Sequence, residues 1–249
     1  MYKISIIYIN NKEQLMLKYQ DVAKKIQQAI YQQNLPKDTQ LPNIEGLIQQ
    51  YQVSRTTIIK ALNRLERHGV IYQIQGSGIF VRQPKKRGYL NFLESHGFSV
   101  DLNDLPGSSL VFNVDVIQPN TKVKENLHCE DDEEVYYIKR LRLVEGRVYG
   151  FEQSYYRKKI VSYLNREIAE NSIFSYVKDI CKVNIGFSDK YFKAIKLDQD
   201  IAPYLGLKAG DPALCVEEIF YTSSGEPFDF SRIIYHYDNA KFFVQSHSK

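Results

Sequence analysis

Apolar residues recur every three to four positions in the first third of the chain and in long β-prone runs further on. Tyr19, Val22, Ile26, Ala29 and Ile30 fall on one side of a helix with 3.6 residues per turn. The segment "LPKDTQLP" ends that helix, because each proline lacks an N–H and disfavours helical backbone in the residue before it. Leu47, Ile48 and Tyr51 mark the buried side of a short second helix. "QVS" then makes a tight turn, and the Ser54 hydroxyl is placed to cap a third helix. Ile58, Ala61, Leu62 and Leu65 form the apolar face of that helix, and His68-Gly69 ends it with a residue that adopts left-handed backbone at little cost. "VIYQIQ" and "IFVR" flank "GSG", two β-prone runs about a glycine-rich tip, which predicts a hairpin. Helix, helix, helix and hairpin is the order of a winged helix-turn-helix.

Beyond "RQPKKRG" (82–88) the pattern changes. "VYYIKRLRLVEGRVYGFEQSYY" (135–156) predicts two strands about Glu145-Gly146, and "LCVEEIFYTSSGEPFDFSRIIYHY" (214–237) predicts two about Ser224-Gly225. Between them lie a helical "SIFSYVKDI" and a β-prone stretch around "NIGFSDKYFKAIKL". The expected fold class is α+β, a winged helix-turn-helix followed by an antiparallel sheet with a few helices. The expected domains are 16–82, a basic linker 83–88, and a second domain 89–246. Residues 1–15 show no clear period. Met16, just ahead of the first helix, is a candidate natural start, with the residues before it an upstream extension or arm.

Charge sharpens this division. Residues 1–87 carry 14 Lys and Arg against 5 Asp and Glu, whereas residues 88–249 carry 19 against 24. A basic first third on an acidic remainder points to a nucleic-acid-binding head on a body with another task. The three cysteines have no short-range pairing and suggest reduced thiols in a cytoplasmic protein. No apolar run reaches a transmembrane length, and the N-terminal "ISIIYI" lacks a signal-peptide cleavage site, so no membrane partner is expected.

On the third helix Arg55, Thr56, Thr57, Ile59, Lys60, Asn63, Arg64 and Arg67 lie away from the expected core. A major groove admits one α-helix, whose first turn meets the base edges. Ser54, Thr56 and Thr57 hydroxyls suit phosphates near the positive end of the helix dipole. The Arg55 fork matches the two acceptors of a guanine, and Lys60 extends the basic face. Gln75, Gly76, Ser77 and Gly78 form a wing tip that lets backbone approach a phosphate or the minor groove. The expected partner is double-stranded DNA.

"LPNIEGLIQQYQVSRTTIIKALNRLERHGVIYQIQGSGIFVR" resembles the winged helix-turn-helix of GntR-superfamily regulators, and the remainder resembles the HutC-type (UTRA) effector domain with its chorismate-lyase-like fold. The resemblance covers roughly residues 16–246 and is most specific in "VSRTT", "KAL" and "GSGIFVR". It implies a homodimeric cytoplasmic repressor that reads a short palindromic operator and releases it on binding a small metabolite. Two positions depart from the family pattern: Asn43-Ile44-Glu45 stands where Ser-Glu-Arg is usual, and Ile59 stands where Arg is frequent. Losing two cations and gaining a carboxylate weakens phosphate attraction and changes the sequence read.

Arg140 and Arg142 are two apart in a strand and project from one face, forming an anion clamp. The resemblance implies that such an Arg-x-Arg contacts anionic effectors, often the phosphate of a sugar phosphate. Glu152 and Ser154 on the return strand are candidates for hydroxyl groups, with Tyr155 lining the same space. Ser172, at the start of "SIFSYV", suits a phosphate or a simple cap. Asp229 and Ser231 stand where the family often has polar pocket residues. His128-Cys129 beside "EDDEE" lacks a second ligand cluster and is expected to be a charged turn. No Cys/His or Ser/His/Asp arrangement and no Walker A loop stands out, so neither an enzyme nor a cofactor is expected. Two other functions remain open: a DNA-binding architectural protein without an effector, and a small-acid lyase on the same fold.

Overall fold

The computed structural model describes residues 18–82, 89–91 and 107–244. These fall into two compact units, 18–82 and 89–244. Residues 1–15 and the expected linker 83–88 lie outside the described residues.

The first unit runs α1 (18–32), β1 (Gln40–Leu41), α2 (Ile44–Tyr51), α3 (Arg55–Arg67), β2 (Ile71–Ile74) and β3 (Gly78–Val81). The apolar stripes meet as the periodicity predicts. Val22, Ala23, Ile26 and Ile30 of α1, Leu47 of α2, and Ile58, Ala61, Leu62 and Leu65 of α3 form one core with Ile71, Ile79 and Val81. Asn43 caps α2 by accepting from the Gly46 N–H at 2.9 Å. Gln52 takes left-handed backbone (φ 53°) between α2 and α3, and Gly69 does so after α3 (φ 62°). The hairpin pairs Ile71 with Val81 and Ile74 with Gly78. β1 adds a third antiparallel strand outside β3, with Gln40 opposite Phe80.

The second unit contains β4 (Leu90–Asn91), β5 (Gly107–Ile117), α4 (Thr121–Leu127), β6 (Val135–Val144), β7 (Arg147–Arg157), α5 (Arg166–Glu170), α6 (Ile173–Asp179), β8 (Ile185–Lys196), α7 (Ala202–Leu205), β9 (Pro212–Thr222), β10 (Pro227–His236) and β11 (Phe242–Phe243). Six strands form an antiparallel sheet in the order β5-β6-β7-β10-β9-β8, and β4 pairs in parallel with β11. The two long hairpins fall where expected. Glu145 and Gly146 both have positive φ (49° and 75°), as a tight two-residue turn requires.

Helices cover both faces of this sheet. On one face, Ala169 of α5 and Ile173 and Val177 of α6 pack with Tyr136, Ile138, Tyr156 and Phe220. On the other, Ala202 and Leu205 of α7 pack with Leu141, Phe151, Cys215 and Ile234. Val123 and Leu127 of α4 pack on that second face with Val135, Ile219 and Phe230. Strand alternation assigns each side chain to a face. Among the described residues, no helix is long and apolar enough to cross a membrane.

Candidate nucleic-acid interface and effector site

Ser54 caps α3 from extended backbone, accepting from the Thr57 N–H at 3.3 Å, and the two hydroxyls lie 2.9 Å apart. Thr57 is only 2% exposed, which corrects its expected place on the outer face. Four residues before Ala61, it sits about 40° from that core residue around the helix and closes the buried stripe. Arg55, Thr56, Ile59, Lys60, Asn63 and Arg67 are exposed, and Arg64 is half-buried. The outer face of α3 is therefore cationic and hydroxylated around one exposed apolar residue, Ile59.

Arg55 donates from Nη1 to Glu45 Oε1 at 2.6 Å. The Glu45 carboxyl lies below its usual range because of its own backbone N–H first and the Arg55 guanidinium second. The sequence marks Glu45 as an unusual acid, but the pair joins residues ten apart on two helices, which periodicity does not reveal.

At the hairpin tip Gln75, Gly76 and Ser77 are exposed. Gly78 has φ 132°, and a Cβ there would lie 2.7 Å from Gln40 Nε2. That Gln40 amide donates to the Ser77 carbonyl at 3.1 Å. Gly78 thus makes room for the contact that ties β1 to the tip. Glu66 of α3 accepts from both Gln73 nitrogens at 2.9 Å and fixes the hairpin against the helix.

In the second unit the polar candidates gather on the face covered by α5 and α6. Arg140 lies opposite Glu152, and Ile138, Ser154, Ser231 and Glu218 form the next row across β6, β7, β10 and β9. Tyr136, Tyr156 and Asp229 form the row beyond. Glu152 bridges both arginines, accepting from Arg140 Nη2 at 2.7 Å and from Arg142 Nε at 2.5 Å. Arg140 Nη1 donates to the Ala169 carbonyl at 2.6 Å, and Arg142 Nη1 donates to Ser109 Oγ at 2.8 Å. Burial alone would raise the Glu152 pKa. The two guanidiniums outweigh it and hold the carboxyl at about 2, against an ordinary 4.5.

A hydroxyl chain continues from that triad. Ser154 donates to Glu152 Oε1 at 2.7 Å, and Ser231 lies 2.9 Å from Ser154 and 2.7 Å from Asp229 Oδ1. Ser231 has one proton for two neighbours. Burial pushes the Asp229 carboxyl well above its usual range, with Ser231 opposing and Glu152 and Glu218 adding to the rise. Ser231 donates to Asp229 Oδ1 in this arrangement; were Asp229 to take up a proton it could donate to Ser231 instead, and the chain would run Asp229 to Ser231 to Ser154 to Glu152 without a shortage. Three buried atoms beside it, Arg140 Nε, Tyr156 Oη and Asp229 Oδ2, make no hydrogen bond to any described residue. Buried polar atoms are seldom left so, and each is a potential ligand contact.

Tyr155 is the exception among the candidates and a correction. It alternates to the opposite face, where it stacks on Tyr137 (5.1 Å) and Phe230 (6.2 Å). Ser172 caps α6, accepting from the Ser175 N–H at 3.2 Å, so its oxygen is already engaged. The structure adds residues that sequence reasoning passed over: Tyr156, and the Glu218–Lys190 pair at 3.4 Å. Glu218 is nearly buried, and burial raises its pKa against the pull of Lys190. Its place between Val216 and Phe220 on one face of β9 was the available signal. Among the described residues no group of His, Cys, Asp and Glu could hold a metal ion.

Two family models match the chain: "Bacterial regulatory proteins, gntR family" over residues 18–81 and "UTRA domain" over residues 106–241. The uncharacterized HTH-type transcriptional regulator YydK of Bacillus subtilis is 44% identical over 233 residues, spanning 94% of this chain and 99% of YydK. The crystal structure of YydK matches with a TM-score of 0.85 at 41% identity, covering 92% of this chain and 100% of that one. The mannosyl-D-glycerate transport/metabolism system repressor MngR of Escherichia coli is 24% identical over 226 residues, 90% of this chain and 93% of MngR.

Proposed function

The chain belongs to the gntR family of bacterial regulatory proteins, of the type that carries a UTRA domain, and is a DNA-binding transcriptional regulator, not an enzyme; from that premise we propose that it is a cytoplasmic homodimeric repressor released from a palindromic operator by a small anionic metabolite such as a sugar phosphate. The head is 16–82, the linker 83–88 and the effector domain 89–246. A dimer sets two recognition helices about 34 Å apart, which calls for a palindrome.

The observation that carries the effector reading is the buried Arg140–Glu152–Arg142 triad with its unsatisfied neighbours. Two guanidiniums and one carboxylate leave a net positive charge in a desolvated place, and an anion with three acceptor oxygens completes it. Ser154, Ser231, Asp229 and Tyr156 next to it suit the hydroxyl groups of a sugar. The name of MngR ties one relative to a sugar derivative and to repression. On the DNA side Ser54, Arg55, Thr56, Lys60 and the tip Gln75, Gly76 and Ser77 supply phosphate and base contacts, with Thr57 and Gly78 shaping the elements that carry them. Relief of repression requires the effector to bind the DNA-free arrangement more tightly. A coupling of about 1–3 kcal/mol changes occupancy roughly 5- to 150-fold.

The test is selection of genomic fragments by the purified chain, followed by challenge of the retained duplex with sugar phosphates and their parent sugars. One palindrome released by a phosphorylated sugar and not by its parent supports the proposal. A palindrome that no anion releases removes the effector, and recovery of fragments without any shared sequence removes the operator.

A further inference from the structure

The Glu45–Arg55 pair gives the head a property that its positive charge conceals. We propose that Glu45 is a base-specificity determinant: it holds the Arg55 fork at the start of α3 and presents its own carboxylate to the amino group of a cytosine beside the guanine that Arg55 reads. The inference rests on α3 being the helix that enters the major groove.

Both side chains are about three-fifths exposed, 60% for Arg55 and 62% for Glu45, although they touch at 2.6 Å. Ion pairs so exposed contribute little to stability, so folding alone gives this pair small value. Arg55 carries five N–H donors, and the contact to Glu45 is its one hydrogen bond among the described residues. Enough of the fork remains for the O6 and N7 acceptors of a guanine. The Glu45 carboxylate is held by its own backbone N–H and by Arg55, yet it is 62% exposed and keeps acceptor lone pairs, and a carboxylate in the major groove accepts from cytosine N4. The pairing removes most of the freedom of a long side chain before DNA arrives, which favours one base geometry over many phosphate contacts.

The surroundings agree. Glu45 lines an open groove between the start of α2 and the hairpin tip, with Glu66, Gln73, Gln75 and Gly76. Glu66 is taken up by Gln73, whereas Glu45 faces outward beside Arg55. An acidic wall there repels phosphates and favours base amino groups, so Glu45 lowers sequence-independent binding while sharpening the choice of base.

The experiment selects duplexes from a randomised pool with the full chain, as wild type, Glu45→Ala, Glu45→Gln, Arg55→Ala and the double alanine variant. Matching melting curves establish that the exposed changes leave the fold intact. The expected result is that each Glu45 variant loses roughly tenfold or more discrimination at one or two adjacent positions. Arg55→Ala blurs the same positions, and the double variant goes no further. Binding of a scrambled duplex tightens in the Glu45 variants. If they keep every positional preference within about twofold and shift affinity evenly, Glu45 is only a surface charge and the inference fails while the regulator stands. If the wild type itself selects no sequence, the operator reading fails together with it.

Discussion

Replacing Glu152 by Gln keeps the volume of the side chain and removes the charge that two buried guanidiniums share. The carboxyl is held at about 2 against an ordinary 4.5, a difference that corresponds to about 3 kcal/mol of stability at neutral pH. Breaking a buried ion pair by removing one partner costs a similar ~3–5 kcal/mol. Glu152→Gln is therefore expected to lower the effector domain's melting temperature by roughly 6–12 °C, at about 2–4 °C per kcal/mol for a unit of this size.

Its sign with pH follows from the direction of the shift. The folded pKa is depressed, so the wild-type contribution is present above pH 4.5 and disappears as pH falls from 4.5 toward 2. The variant lacks that component and should be flatter across the same window. Without Glu152 the arginines attract anions more strongly. Inorganic phosphate should then stabilise the variant more than the wild type, the variant gaining about 2.7 kcal/mol at a hundredfold excess over its own Kd. Thermal and urea unfolding followed by tyrosine fluorescence measure both effects. A loss under about 1 kcal/mol, or a phosphate response no larger than that of the wild type, would refute the triad as an anion clamp.

Asp229→Asn should behave in the opposite sense. A raised folded pKa means that stability declines as pH rises past 3.8, so the amide, which can still donate to Ser231, should melt at the same or a higher temperature at pH 7 and vary less between pH 4 and 7. Its response to the effector should weaken, which titration of the operator complex would show. Thr57→Val, which removes a buried hydroxyl 2.9 Å from Ser54, should cost roughly 1–2 kcal/mol in a melting experiment yet leave base preference unchanged. Gly78→Ala places a methyl 2.7 Å from Gln40 at φ 132°, and should loosen the hairpin and weaken DNA binding several-fold in a fluorescence-anisotropy titration.

Local chemistry makes much of this architecture legible in the sequence. Ser54 as a cap, Gly69 as a helix end, Glu145-Gly146 and Ser224-Gly225 as turns, and the shared face of Arg140 and Arg142 all follow from periods of 3.6 and 2 or from backbone preferences of single residues. What escaped depends on register between distant strands or on contact between helices. Nothing near Arg140 says that Glu152 divides itself between two arginines, or that Asp229 closes the row by way of Ser231. A polar residue flanking an apolar stripe reads as outward, and in Thr57 it is the cap, invisible to periodicity, that turns the hydroxyl in. Tyr155 adjoins Ser154 in sequence, but strand alternation carries it to the opposite face, against Phe230.

That alternation has an evolutionary consequence. On β7 and β10, Ser154, Asp229 and Ser231 share the face of Glu152 and its triad, while their immediate neighbours, among them Tyr155 and Phe230, are committed to the hydrophobic cluster behind the sheet. The sheet is a partition wall. On the proposal that the triad holds the effector, substitutions at Ser154, Asp229 and Ser231 would alter which metabolite fits while leaving the packing behind the sheet in place. On that proposal a lineage would change its effector by single steps on one side of the wall.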